Sequence, residues 1–324
     1  MSIFRDIRKA VEILKQVDLK QLSALSHKID LGAAMKQLAN MNESQLQGLL
    51  KMLNSSGRKS ELPEVNPDFY ELSNKLSPEQ RALQLKVRHF METEVAPLVN
   101  DYWLRDEFPY DLIPKMGELG LAGITIDGYG CPNQSFLMEG VLAMEMARVD
   151  SSIATFFGVQ SGLVMGSIYL CGSEEQKQEW LPRLNRMTKI GAFGLTEPEV
   201  GSGAAGGLTT TCRRTDNGWV LNGEKKWIGN ATFADVVVVW ARDESDNEVK
   251  GFLVRKNTPG FKVEKIKGKM ALRIVQNGLI TFTDCIVEEK DRLPGANSFK
   301  DTANVLRMTR AGVAWMAVGC ARGA

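Results

Sequence analysis

The feature that most constrains this chain is a change of texture near residue 191 and its reversal near residue 300. From about 66 to 190, apolar residues recur at steps of three and four, the spacing of one helix face. Ser77-Pro78-Glu79 offers an N-cap followed by proline at the first helical position, and the helix runs through Leu83, Val87, Phe90 and Met91 toward Pro97. Further helices are expected over residues 111–119, ended by Gly120, and over 137–148, 152–170 and 173–183. Past 191, β-branched and aromatic runs take over. Trp219-Val-Leu-Asn-Gly223 reads as a strand into a turn, Val236-Val-Val-Val-Trp240 as a buried strand, and residues 251–255 and 279–287 as two more. From Asp301 the helical spacing returns in Val305, Met308, Val313 and Met316. The expected fold class is therefore α+β and multidomain. It comprises an N-terminal all-α domain at 66–190, a middle β-barrel-like domain at 191–300 and the start of a C-terminal helical bundle at 301–324. Residues 1–65 read as a helical N-terminal extension with apolar stripes such as Ile3, Ile7, Val11 and Leu14, closed by a linker at 55–63.

Composition excludes several functions. The formal net charge is +1, so no basic field exists to attract nucleic acid. The five cysteines (Cys131, Cys171, Cys212, Cys285, Cys320) are far apart and odd in number, and with only His27 and His89 beside them no zinc site, other metal site or disulfide framework is expected. No apolar run approaches the ~20 residues of a membrane span. The N-terminus carries Asp6, Glu12 and Asp18, unlike an organelle transit peptide. A cytoplasmic protein is the expectation.

The chemistry lies in the middle of the chain. Phe193-Gly-Leu195-Thr196-Glu197-Pro198 is followed by Gly201-Ser202, then by Asn222-Gly223 and Lys226-Trp227-Ile228-Gly229-Asn230. An extended segment with a threonine presents alternating backbone groups and a hydroxyl, which suits the polar edge of a planar cofactor, and a tryptophan suits its face. Taken in this order and spacing, these strings resemble the flavin-binding middle domain of the acyl-CoA dehydrogenase/acyl-CoA oxidase family. The resemblance covers about residues 66–324. It implies FAD as cofactor and an acyl-CoA thioester as substrate, oxidised at its α and β carbons by proton abstraction and hydride transfer to flavin N5. Electrons would pass to an electron-transfer flavoprotein or to dioxygen, and a full-length chain would be a homo-oligomer. It also implies that Phe193, Leu195 and Thr196 line the flavin's pyrimidine edge, that Trp227 and Gly229 lie by the isoalloxazine, and that Gly201 and Ser202 lie near the diphosphate.

Three departures from the family pattern are visible. Gly203 follows Gly201-Ser202 where Asp is usual. Gly229 stands where many dehydrogenases carry Thr or Ser near N5, a change that eases dioxygen access to the reduced flavin. The strings Trp227–Asp235 and Leu272–Gly278 look closest to the short-chain acyl-CoA oxidase branch related to glutaryl-CoA dehydrogenase. That branch places an arginine for a second substrate carboxylate shortly after the Arg148-Val-Asp150-Ser helix start, and here the position is Ala154. Without a cation, burying a second carboxylate is costly, so the expected substrate is short and non-dicarboxylic. Thr155, Phe156, Val159 and Leu163 are expected to line its apolar pocket, with Phe156 shortening it, and Arg310 to lie near the CoA portion.

No residue is assigned as the catalytic base; the family places that carboxylate in a C-terminal helical domain, and the chain stops at Ala324, where that domain would begin. Glu197 lies in the motif, but the resemblance implies a structural role for it. Two readings stay open: an enzyme truncated before its C-terminal domain, or a non-catalytic fragment acting as a binding or assembly module.

Overall fold

A computed structural model describes residues 71–324, together with Gln45 and Asp68. The helices expected within residues 1–54 and the linker at 55–63 lie outside the described residues, Gln45 apart. Residues 71–324 form one unit.

The helical layer starts where the capping signals lie. Ser77 accepts from the Gln80 amide while the Gln80 side chain accepts from the Ser77 amide, which opens α1 (Pro78–Phe90). A π turn (Met91–Val95) carries the chain into α2 (Ala96–Arg105), so Pro97 sits in the first turn of a new helix rather than ending the old one. α3 (Leu112–Leu119) ends at Gly120, whose φ of 67° is the left-handed cap that glycine adopts without strain. α4 (Phe136–Val149) is capped by Ser135 and α5 (Ser151–Cys171) by Asp150, whose carboxylate accepts from the Ile153 amide at 2.8 Å. α6 (Glu174–Asn185) opens with a second capping box, Ser173 with Gln176. By length and composition α5 is apolar enough to cross a bilayer, contrary to the expectation from sequence. Its most apolar window is 67% buried inside the protein, which marks it as a core helix.

The seven strands form one sheet. They are β1 (Gly191–Gly194), β2 (Thr211–Thr215), β3 (Gly218–Ile228), β4 (Val236–Asp243), β5 (Val249–Arg255), β6 (Phe261–Lys265) and β7 (Gly278–Val287). The order runs β1-β4-β2-β3-β7-β6, with β5 paired to β4. β1 and β2 follow one another along the same edge of β4, both parallel to it; the remaining pairings are antiparallel. Asn222-Gly223 does not turn the chain. β3 continues through it to Ile228, and the register with β7 slips between Leu221 and Gly223. Gly223 holds φ at +136°, and a Cβ there would lie 2.6 Å from the Thr210 Cα, so the glycine admits the backbone of the segment leading into β2.

β4 is buried on both faces, and its alternation joins the two layers. Val236, Val238 and Trp240 belong to the core shared with the helices, alongside Phe156, Leu195 and Ile274. Val237, Val239 and Ala241 face a second core with Leu221, Phe252, Phe282 and Cys285. After a one-turn helix, α7 (Ala204–Gly207), and the sheet, α8 (Phe299–Gly323) returns to the helical layer. It lies so close to α4 that a Cβ at Gly140 would meet the Trp315 indole nitrogen at 2.3 Å, and one at Gly319 would meet the Met144 carbonyl at 2.3 Å. Buried Glu145 accepts from Arg88 at 2.8 Å and 2.9 Å and from Gln84 at 2.8 Å, and Arg322 of α8 approaches it to 3.7 Å, so one carboxylate ties α1, α4 and α8.

Candidate active site

β1 and the segment after it are held by buried polar side chains. Gln160 of α5 accepts from the Gly191 amide at 2.8 Å and donates to the Leu184 and Lys189 carbonyls at 3.0 Å and 2.9 Å. Asn230 donates to the Gly191 carbonyl at 3.2 Å. Beyond β1, Lys225 donates to the Leu195 carbonyl at 3.1 Å and to Glu197 at 2.8 Å, both side chains being fully buried. Glu197 also accepts from the Thr209 amide and hydroxyl and the Thr210 amide, at 2.6–2.9 Å. Burial disfavours the Glu197 carboxylate, but the Lys225 ammonium and these donors outweigh it and hold its pKa at about 2. Burial dominates on Lys225, bringing it down to about 8 despite Glu197. Both partners are thus charged at neutral pH. Glu197 has the structural role expected of it.

This clamp leaves a set of groups free. The Phe193 ring is buried near Trp240, with centroids 6.2 Å apart, so its side chain is not exposed to a ligand. The Leu195 and Thr196 carbonyls are engaged, the latter by the Lys226 amide at 2.8 Å. The Thr196 amide and hydroxyl have no hydrogen-bond partner among the described residues. Trp227 is half-exposed at a break in the β3–β7 register and holds φ at +63°, a strained setting for a bulky residue. Asn277 pins its carbonyl at 2.9 Å, and the Lys226 ammonium lies 5.7 Å from its ring centre. Gly201 and Ser202 are exposed, and a Cβ at Gly201 would meet nothing within 4 Å. Free hydroxyl and amide donors, an outward aromatic face and an open glycine turn fit a flavin dinucleotide. α7 has no side-chain cap, consistent with the acceptor missing at Gly203.

A cavity of about 400 Å³ lies between α4, α5 and α8. Thr155, Val159 and Leu163 line it, as does Ala154. Phe156 does not. Its ring is fully buried, tilted against Phe108 at 4.7 Å and stacked on Phe233 at 6.3 Å, so it does not shorten the pocket. The seven residues from Ala154 to Gln160 run through the helix and into its π stretch, and periodicity sends 156 and 160 to the core. Arg310 is exposed, is not among the walls and forms no ion pair among the described residues. The cavity abuts the Trp227–Gly229 strip: a methyl on Gly229 would lie 3.5 Å from the Val159 Cγ2 and 3.4 Å from the Val275 Cγ1.

Sequence reasoning missed four residues. Gln160 stands as a polar side chain inside an apolar stretch, a signal the sequence does offer, whereas Lys225 lies in the charged run Glu224-Lys225-Lys226, where nothing marks it as buried, and Asn230 stands out only as part of a string. Glu139 of α4 is a cavity wall, and burial pushes its carboxyl up to about 7.

Two family models match: acyl-CoA dehydrogenase, N-terminal domain, over residues 77–188, and acyl-CoA dehydrogenase, middle domain, over 192–285. The short-chain specific acyl-CoA dehydrogenase of Rattus norvegicus mitochondria is 33% identical over 77% of this chain and 62% of its own length. An acyl-CoA dehydrogenase of Bacillus subtilis is 33% identical over 77% of this chain and 67% of its own. The crystal structure of a glutaryl-CoA dehydrogenase from Mycobacterium smegmatis in complex with FADH2 superposes with a TM-score of 0.75 at 37% identity, covering 78% of this chain and 65% of that one. The chain belongs to the acyl-CoA dehydrogenase family and spans 62–67% of the length of these relatives.

Proposed function

We propose that this chain carries the flavin face and acyl cavity of an FAD-dependent enzyme that oxidises short, non-dicarboxylic acyl-CoA thioesters. The observation that carries the reading is the junction at Gly229 and Val159, where the cavity meets the strip that bears Trp227. Thr196 would meet the flavin's pyrimidine edge with its free amide and hydroxyl, and Phe193 and Leu195 would contribute backbone alone. Trp227 and Gly229 would wall the ring, and Gly201-Ser202 would lie by the diphosphate. FAD bound there supplies the acceptor for the β-hydride. The protein's own part is to hold the acyl chain against that face in a largely apolar space that excludes water. Among the described residues the cavity presents no lysine or arginine, and it presents Glu139, so a second substrate carboxylate would be repelled. The unpaired Arg310 guanidinium would serve the CoA phosphates from the exposed side of α8.

The test is the visible spectrum of the purified chain with FAD, before and after anaerobic addition of butyryl-CoA. Retained flavin bands that shift or bleach with butyryl-CoA, and not with glutaryl-CoA, are the expected result. A chain that retains no flavin overturns the reading.

A further inference from the structure

Glu139 is out of place in an acyl pocket. Its carboxylate oxygen lies 3.9 Å from where a methyl on Gly162 would sit, across the cavity on α5. Among the described residues it has no ion pair and no side-chain hydrogen bond, in contrast to Glu145 one and a half turns on, which is fully satisfied. The wall hydroxyls do not supply the missing donor. Thr155 donates to the Ser151 carbonyl at 2.8 Å and Thr309 to the Leu306 carbonyl at 3.2 Å, and the Ser151 and Ser161 hydroxyls, also in the wall, make no hydrogen bond to Glu139. Among the described residues the cavity walls carry no lysine or arginine to pair with it. Glu139 is half-buried, where an unpaired carboxyl is costly, and a ligand that brings a donor offsets that cost.

Position along α5 says which part of a ligand would meet it. Val159 borders Gly229, and Gly162 borders Glu139. Three helical residues rise about 4.5 Å. Glu139 therefore sits about one helical turn along α5 from the wall beside the flavin strip, clear of the carbons that react there.

The geometry points to an acyl thioester carrying a hydrogen-bond donor, a hydroxyl or an ammonium, a few carbons beyond its thioester, with Glu139 as the acceptor that selects it. This assignment rests on the acyl-CoA reading above and sharpens its substrate class.

Titration calorimetry on the purified chain would compare valeryl-CoA, 5-hydroxyvaleryl-CoA, 5-aminovaleryl-CoA and glutaryl-CoA. The expected result is that at least one donor-bearing thioester binds about tenfold or more tighter than valeryl-CoA. Glu139→Leu should abolish that advantage while valeryl-CoA binds as well as before or better. Glu139→Gln should weaken the ammonium ligand more than the hydroxyl one. A hydroxyl-only or ammonium-only preference identifies the donor. If valeryl-CoA binds and neither substituted ligand binds tighter, the assignment falls and the acyl-CoA reading stands. If the advantage survives Glu139→Leu, the selecting group is elsewhere. If none of the four binds, the acyl-CoA reading fails and the assignment with it. Loss of anaerobic flavin bleaching by valeryl-CoA in Glu139→Gln, with binding intact, would make Glu139 the α-proton base and overturn the selecting role.

Discussion

A buried ion pair fixes the segment that the flavin edge would use. Lys225 reaches both the Leu195 carbonyl and Glu197, so it sets the height of Thr196 between them. Removing one partner strands the other. Lys225→Met leaves the Glu197 carboxylate buried without its counter-charge and is expected to cost about 3–5 kcal/mol, measured by urea unfolding. Adding Glu197→Gln to it should recover part of that loss, because the stranded charge is gone. The same carboxylate gives an acid limb. Its folded pKa is about 2, below the unfolded value, so its stabilisation is present above about pH 4.5 and is lost as pH falls toward 2. Stability of Glu197→Gln should therefore vary less between pH 4.5 and 2 than that of the unsubstituted chain. Glu139 titrates in the opposite sense. Its folded pKa is raised to about 7, so stability falls as pH rises from about 4.5 to 7, and Glu139→Gln should raise Tm more at pH 8 than at pH 5. Gly229 is a third single-residue lever. Its φ is not positive, and a Cβ there makes only ordinary contact with Val275 and Val159, so Gly229→Thr should fold normally. With flavin bound, that variant is expected to reoxidise more slowly in air; an unchanged rate would remove the link between this glycine and dioxygen access.

At the level of elements, α4 and α8 form the cavity because glycines let them close. Gly140→Ala would drive a methyl into the Trp315 indole, so the helices must separate. A cost of about 1–3 kcal/mol is expected, together with weaker acyl-CoA binding than in the unsubstituted chain, since the same two helices wall the cavity. Much of this level could be read in advance. The cap at Ser77 placed the start of α1, because a cap is a local event written in four adjacent residues. Asn222-Gly223 misled because the dipeptide that favours a hairpin turn also favours a close backbone crossing, and only the tertiary position of Thr210 decides which. Phe156 misled for the converse reason. A helix with apolar residues on nearly every face does not say which of them meets the cavity and which meets Phe108. Glu139 was unreadable because the cavity that it walls is completed by α8, more than 150 residues away in sequence.

Across the whole described unit, the helical layer and the sheet share one core, and Trp240 sits at the centre of that junction. It is fully buried on β4, beside Phe193 on one flank and against Gly251 on the other. Val236 and Val238 extend the same face toward the helices, while the alternate residues of β4 hold the second core. A strand that supplies both cores makes independent melting of the layers costly, because exposing either face of β4 loses the other's support. Trp240→Ala should therefore cost about 3–5 kcal/mol and lower the far-ultraviolet helical signal and the fluorescence of the remaining tryptophans in one coincident transition. The indole N–H of Trp240 has no hydrogen-bond partner among the described residues, so Trp240→Phe gives up volume without stranding a polar group and should cost less than the alanine variant. Two separated transitions in Trp240→Ala, with the helical signal persisting after the sheet has melted, would mean that the layers are held together elsewhere. The charge cluster at Glu145, which joins α4 to α8 away from the sheet, would then be the next place to cut.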